Sequence, residues 1–404
     1  MSLFSFSSKS TEQNILVIEL GSGSVSGSLV KVNKNTVPEI KYATRQQITF
    51  QKNLETERVL PLMLSTLDKV CDNIQKEAFT NNIAPNENRT ISEICFILSS
   101  PWCISQTKIV SLALEKPVIM TKSYLNKILE EQENNAEQAA KTFFENLHDK
   151  DDALVFEKKT IQIKLNGYKV DEVIGKIANK IELAFLISIT PNLIINDIKN
   201  TVGKYFSVDN TIIHSYTLSS LSAIRDIFPD KKSYIILDLS SEITDLSLVR
   251  DDIMSGGISF PIGRNHFVRQ VASDLKISIE EAFSLLATYH SKNLNKIYDA
   301  QIENVLSSTM SEWSQKLKES LETLAKEAYI PRTIFKATND DFGVFFADRL
   351  NLETFSQLGF SQEKFNVIML DKNTMDKYCS LSPGVRGDVF MMTNAIYVNK
   401  LFNL

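Results

Sequence analysis

The strongest constraint on the fold is a strand–turn–strand pattern that the sequence contains twice. In the middle of the chain, the apolar run Tyr234–Leu237 leads into Asp238, a short polar turn and a second apolar run, Leu246–Val249. Near the start, Asn14–Leu20 carries an acid at Glu19 and is followed by a Gly-Ser-Gly-Ser turn and a returning strand. Two β-rich runs joined by a few small polar residues predict a hairpin. The repeat predicts an internally duplicated fold in which each half offers one turn.

These turns have two interpretations. An acid at the end of a buried strand, facing a turn of free backbone amides, is one way to build a site for phosphate and a metal ion. The same pattern also fits a core hairpin whose acids only cap the turn. The hairpin by itself does not separate the two.

Composition narrows the class of protein. The 404 residues are 43% hydrophobic and 23% charged, as in an ordinary globular protein of several compact units. The net charge of −5 argues against a nucleic-acid partner, because no basic excess is present to neutralise phosphates. The four cysteines show no CxxC spacing, which predicts reduced thiols. No apolar run is long enough to cross a bilayer, so we expect a soluble cytoplasmic protein.

The character of the sequence changes between about residue 105 and residue 188. Thr121 is a good N-cap for a long acidic helix that begins at Lys122, and Asn166-Gly167 predicts a tight hairpin among short strands. The pattern predicts an α+β module inserted between core elements. Near the C-terminus, the apolar stripe of the last helix is more typical of core than of a membrane anchor.

This order of elements resembles the actin-like ATPase superfamily, and most closely the branch of the cell-division protein FtsA and the type IV pilus assembly protein PilM. DLSSEITDLSLVRDDIMSGGISFPIG is similar to the second phosphate motif of that branch (Asp-x-Gly-x-x-x-Thr-Asp), and IELGSGSVSGSLVKV to the first. EKPVIMTKSYLNKIL and IQIKLNGYKV resemble the inserted SHS2-type module. The resemblance implies an α/β, two-lobed actin-like (ribonuclease H-like) duplicated fold. Lobe I would cover 1–104 and 189–232, the module 105–188, and lobe II 233–404.

The resemblance also implies ATP and Mg²⁺ as cofactors, held between the two turns. Glu19 and Asp238 would hold Mg²⁺ through water. The candidate residues around the phosphates and the metal are Glu19, Gly21, Ser22, Gly23, Ser24, Asp238, Ser240, Ser241, Thr244, Asp245 and Gly263.

The sequence departs from the family pattern around this pocket. Glu19 replaces the usual aspartate, and Ser240 replaces a glycine, where a Cβ would hinder a backbone with positive φ. Phe283 and Leu286 stand where the family has the glutamate and lysine that contact ribose, and Ala337-Thr338-Asn339 replaces the Gly-Gly turn beside adenine. Each lost polar contact costs about 1–3 kcal/mol. We therefore expect nucleotide binding to be weak or lost, which leaves open whether the chain is an enzyme at all.

Two functions follow from the resemblance. The first is an FtsA- or PilM-like scaffold, peripheral at the inner face of the cell membrane, which organises a division or pilus complex through protein contacts. Its partner would be a cytoplasmic protein or peptide, and the module would also mediate self-association. The alternative is a working Mg–ATP-dependent ATPase whose lobe closure gates polymerisation or partner binding. A sugar or acetate kinase of the same superfamily is disfavoured, because no catalytic base with a substrate loop is recognisable.

Overall fold

The structure is a computed structural model that describes residues 12–51, 56–78, 90–147, 153–170, 172–290, 296–325, 329–337 and 365–403. Within these ranges the strands are β1 (Glu12–Leu20), β2 (Ser24–Asn33), β3 (Glu39–Gln47), β4 (Ile91–Leu98), β5 (Ile104–Ile119), β6 (Ala153–Leu165), β7 (Tyr168–Lys169), β8 (Ile177–Pro191), β9 (Thr211–Ser215), β10 (Tyr234–Leu239), β11 (Thr244–Arg250), β12 (Ile253–Phe260), β13 (Thr333–Ala337), β14 (Asn366–Leu370) and β15 (Ser380–Leu381). The helices are α1 (Thr56–Asn73, continued by a π-helix over Ile74–Ala78), α2 (Lys122–Leu147), α3 (Asn192–Val202), α4 (Tyr216–Ile227), α5 (Arg264–Leu275), α6 (Ile279–His290), α7 (Lys296–Ala325), α8 (Lys372–Met375) and α9 (Val389–Asn403). Residues 338 and 339 of the expected adenine turn lie outside the described residues, and so does the segment 341–350, for which the sequence predicts a helix.

The first sheet has the strand order β15-β3-β2-β1-β4-β9. β1 and β2 form the predicted antiparallel hairpin, and β4 and β9 extend the sheet in parallel. Successive side chains of β1 point to opposite faces, and both faces are buried: Leu16 and Ile18 face the core under α1 and α3, and Val17 faces the core under α4 and α9. Burial on both faces explains why β1 reads as a continuous apolar run.

The second sheet has the order β12-β11-β10-β13-β14 and contains the other predicted hairpin, β10–β11. One face packs against α5, α6 and α7 through a core that includes Phe267, Leu286 and Trp313. On the other face, Tyr234, Ile236 and Phe335 join the same core as the first sheet's Val17. The two hairpins are therefore carried by two sheets that share a core.

The third sheet, β5-β8-β6-β7, and α2 occupy the region predicted as an inserted module. Thr121 caps α2 as expected, because the Tyr124 amide donates to its side chain at 3.2 Å. Asn166 and Gly167 form the predicted turn with positive φ values of 53° and 87°. The division of the whole chain into lobes stays a prediction.

The C-terminal elements lie elsewhere than expected. They were expected to belong to lobe II (233–404), but β15 pairs with β3 and α9 packs against β2 and α4. α9 buries Met392, Ala395 and Val398 completely in the core it shares with the first sheet, and this apolar burial explains its position. Among the described residues, no helix has the length and apolar character needed to span a membrane.

Candidate functional site

The two hairpin turns meet face to face and contact each other directly. The Ser22 and Ser240 hydroxyl oxygens lie 2.8 Å apart, and the Glu242 amide donates to Ser22 Oγ at 3.1 Å. At Gly23, an added Cβ would lie 2.1 Å from the Cβ of Ser241. The turns are packed closely enough that a phosphate chain has no room between them in this arrangement.

Ser240 fits its turn without backbone strain. It is not among the residues with positive φ, so the expected obstruction by its Cβ does not arise. Its hydroxyl donates to the Ile243 carbonyl at 2.8 Å and also meets Ser22. The serine therefore closes the turn and ties it to the first hairpin.

The backbone amides at the start of α5 already have partners in the second turn. The Arg264 amide donates to the Ser240 carbonyl at 3.0 Å, and the Asn265 amide donates to the Ser241 carbonyl at 2.7 Å. Gly263 permits this approach, because a Cβ there would lie 2.5 Å from the Ser241 carbonyl oxygen. Amides at a helix N-terminus bind anions only when they are free. In this structure the carbonyls of the second turn accept hydrogen bonds from these amides, so the amides are not free to bind an anion.

The negative charge of Glu19 is offset by the guanidinium of Arg45. Arg45 Nη2 lies 3.1 Å from Glu19 Oε2, and Arg45 Nε lies 2.6 Å from Asp388 Oδ2. Ser26 Oγ also donates to Glu19, at 3.1 Å. Burial raises the pKa of Glu19, and Arg45 opposes that rise. A magnesium ion recruited by Glu19 would have to compete with this guanidinium. The residues around Glu19 and the contacting turns therefore do not fit Mg–ATP as they are arranged here.

Asp238 and Asp245 lie directly opposite each other on β10 and β11. Burial raises the pKa of Asp238, and the neighbouring Asp245 and Glu19 raise it further. Burial also raises the pKa of Asp245, which accepts hydrogen bonds from Ser100 and Ser259. Asp238 Oδ1 is buried and finds no hydrogen-bond partner among the described residues. The two acids thus form a buried pair beside the turns.

Thr244 and the first turn are held by tryptophan side chains. The Thr244 hydroxyl donates to the Ile262 carbonyl at 2.6 Å and accepts from the fully buried Trp313 indole at 2.9 Å. The Trp102 indole donates to the Gly21 carbonyl at 2.8 Å, and Ser24 Oγ accepts from Arg45 at 2.8 Å. Thr244 and Ser24 therefore form hydrogen bonds with other residues of the protein, and these bonds hold the two turns in place.

An aromatic bridge crosses the region where the resemblance places the sugar. Phe283 packs edge-on against Phe50, with the ring centroids 5.5 Å apart. The Arg269 guanidinium lies 5.4 Å from the centroid of Phe50 and forms a 2.5 Å ion pair with Glu242. Phe50 follows the first sheet's β3, whereas Phe283, Arg269 and Glu242 belong to the second half. We call these four residues the aromatic bridge.

The remaining expected nucleotide contacts are structural where they are described. Leu286 is buried in the core under α5 and α7, and Ala337 is buried at the end of β13 next to Asp238. The structure thus gathers all the predicted turn residues around one junction. Sequence reasoning missed Arg45, Asp388, Phe50 and Arg269, because each acts through a partner far away in the chain. The clearest case is Arg45 and Asp388, which are 343 positions apart.

Comparisons with known proteins identify the fold. No family model matches the sequence, and no curated protein matches it. Among solved structures, the chain is similar to one described as the "PilM-PilN type IV pilus biogenesis complex", with a TM-score of 0.62 and 12% identity over 96% of this chain and 98% of that one. A "MamK double helical filament" (TM-score 0.45, 9% identity, 97% and 99% covered) and the ethanolamine utilization protein EutJ from Carboxydothermus hydrogenoformans (0.40, 9%, 96% and 89%) are more distant. The predicted two-lobed actin-like fold is confirmed.

Proposed function

We propose that this protein is an actin-fold scaffold of the PilM kind, which organises a type IV pilus assembly complex through protein contacts and has weak or no nucleotide binding. The observation that carries the proposal is the direct contact between the two turns. A solved PilM–PilN complex shares the fold over nearly the whole chain, which favours a pilus role over a division role of the FtsA kind. Binding to the partner would hold this protein at the inner face of the membrane.

The contacts across the turns would act against nucleotide binding. ATP entry would have to separate Ser22 from Ser240 and Glu242 and open the aromatic bridge. A hydrogen bond contributes about 0.5–1.5 kcal/mol net, and an aromatic pair about 0.5–1.5 kcal/mol beyond its burial. Opening would therefore cost roughly 2–4 kcal/mol, equivalent to about a 30- to 1,000-fold loss of affinity.

The inserted module offers a surface for the partner. β5 is an edge strand of its sheet, and the large apolar side chains of Ile109 and Ile119 on β5, with Ile177 on β8, are exposed. An edge strand can accept an added strand from a partner, with apolar side chains giving specificity. We assign this edge to a cytoplasmic peptide of the pilus partner, and self-association through the same module would compete with it.

Isothermal titration of the full chain with Mg–ATP and a non-hydrolysable analogue tests the nucleotide part of the proposal. We expect no heat up to millimolar ligand. A dissociation constant in the low micromolar range would contradict the proposal and support the alternative, a working ATPase whose lobe closure gates assembly. The variant F283E removes the aromatic contact with Phe50 and places a glutamate at the α6 position where the resemblance expects one. It is titrated beside the wild type as the matched comparison. Tight binding by F283E alone would show that the bridge, rather than the remaining pocket, excludes nucleotide.

Capture by the partner's cytoplasmic peptide tests the surface on the module. We expect I109K and I119K to reduce capture at least tenfold, because a charge replaces an apolar contact. V37K is the control, since Val37 is also exposed but lies before β3 in the first sheet. Equal capture by all three variants would rule out the β5 edge as the docking surface.

A further inference from the structure

A cavity of about 470 Å³, lined by both polar and apolar groups, lies where the first sheet, the inserted module and the second hairpin meet. Its walls come from the loop after β4, the start of β5, the start of α4 and strands β10 to β12. The walls carry eight hydroxyl side chains and the carboxylates of Asp238 and Asp245, and no lysine or arginine is among the lining residues. We call this space the junction cavity. It is large enough for a small organic ligand.

The two carboxylates make the cavity favourable for a cation. Asp238 and Asp245 are cross-strand partners, and like charges directly opposite each other destabilise a strand pair. Asp245 accepts hydrogen bonds from two serines, and the charges of Lys336 and Arg45 attract Asp238. The buried Oδ1 of Asp238 nevertheless has no hydrogen-bond partner within the described part of the chain, and the residue is 6% exposed. A buried acceptor without a donor is costly, and a cationic donor between the two acids would remove both problems. A phosphate would instead meet two negative charges.

The size and walls of the cavity distinguish an organic cation from a metal ion. A water molecule takes about 30 Å³ of liquid volume, so a bare ion would leave most of the cavity unfilled. Ile236, Met254 and Ile104 form apolar wall between the polar groups. An alkyl stem can pack on these side chains while its charged head meets the acids.

We propose that the junction cavity binds a protonated primary amine, with its ammonium group between Asp238 and Asp245 and its alkyl stem along Ile236 and Met254. The ligand is a free small amine or the side chain of a lysine in a peptide. Ser105 of the cavity wall meets Ser188 Oγ at 2.8 Å, and Ser188 donates to Glu157 at 2.7 Å. The bound amine therefore lies against the contacts that join the module to the first sheet.

Titration calorimetry and thermal unfolding of the full chain with putrescine test the proposal. We expect saturable binding, a raised melting temperature, and at least a tenfold loss of affinity in D238N and in D245N. E322Q removes one exposed carboxylate on α7 and is expected to bind like the wild type. The uncharged 1,4-butanediol is expected to give no binding. A lysine-containing peptide is titrated beside putrescine. Whichever of the two binds with the higher affinity identifies the source of the amine, a peptide lysine or a free small amine.

Several results would overturn the proposal: no amine binding, equal binding by 1,4-butanediol, or the same melting shift with Mg²⁺ or K⁺ alone. S247L tests the location independently of charge, because Ser247 lines the cavity and a larger side chain would occupy it. We expect S247L to lose binding. Undiminished binding by a folded S247L variant would place the amine elsewhere. Because ATP plays no part in these measurements, their outcome is separate from that of the nucleotide titration.

Discussion

At the scale of single residues, Glu157 is the acceptor that joins the inserted module to the first sheet. Its carboxylate accepts from Ser188 on β8 and, at 2.5 Å, from the hydroxyl of Ser215, and His214 Nδ1 lies 2.8 Å from Glu157 Oε1. Ser215 is also the N-cap of α4. A single buried acid on β6 thus organises donors from β8 and β9.

Removing this acceptor should destabilise the whole protein. We expect E157A to lower the free energy of unfolding by about 2–4 kcal/mol, because the buried donors lose their partner. Urea denaturation measures the change. E137A is the control: Glu137 pairs with Lys141 and Lys158 near the surface, where an ion pair contributes about 0–1 kcal/mol. Equal losses in the two variants would contradict the structural role of Glu157.

Asp238 gives the stability a dependence on pH. Burial raises its pKa, so the folded state holds the proton more tightly than the unfolded state. Its contribution is fully present below the ordinary aspartate pKa of 3.8 and is lost as the pH rises through the higher folded value. We expect D238N to be more stable than the wild type at pH 7, and the difference to shrink toward pH 4. Urea midpoints across that range test this, and a difference that grew on acidification would contradict the sign.

At the scale of elements, local pattern and distant contacts contribute differently to what can be predicted. The hairpins, the Thr121 cap and the Ser278–Glu281 capping box follow from neighbouring residues, and the structure contains each of them. The aromatic bridge and the Arg45–Asp388 ion pair depend on the arrangement of two halves of the chain. No periodicity or spacing marks them in advance.

The aromatic bridge should hold the second turn closed. We expect F50A to speed amide hydrogen exchange in residues 240–243 and to lower the free energy of unfolding by about 1–3 kcal/mol, since Phe50 contacts both Phe283 and Arg269. Exchange measured by mass spectrometry gives the first quantity. Y329A is the control, because Tyr329 is an exposed aromatic residue outside the bridge. Unchanged exchange in F50A would mean that the turn contacts alone keep the halves together.

At the scale of the whole molecule, the C-terminal helix completes the half of the protein that the N-terminal hairpin begins. Asn394 contacts Glu19 and Ser219, and Lys400 pairs with Asp226. The sequence indicated an apolar helix of core type but gave no sign that the chain would return to its first sheet. The return of the chain to the first sheet depends on a surface of β2 and α4 that is complementary to α9. The spacing of residues along the sequence does not reveal such a surface.

The packing of α9 allows an experiment that distinguishes a core helix from a membrane anchor. Met392 is completely buried against the first half, so we expect M392A to lower the free energy of unfolding by about 2–5 kcal/mol. F402A, at the half-buried end of α9, should cost less and is the matched control. Flotation with anionic vesicles should be the same for the wild type and both variants, because an apolar stripe facing the core is not available to lipid. A large loss of vesicle binding in M392A, with unchanged stability, would instead show that α9 leaves the core to meet the membrane.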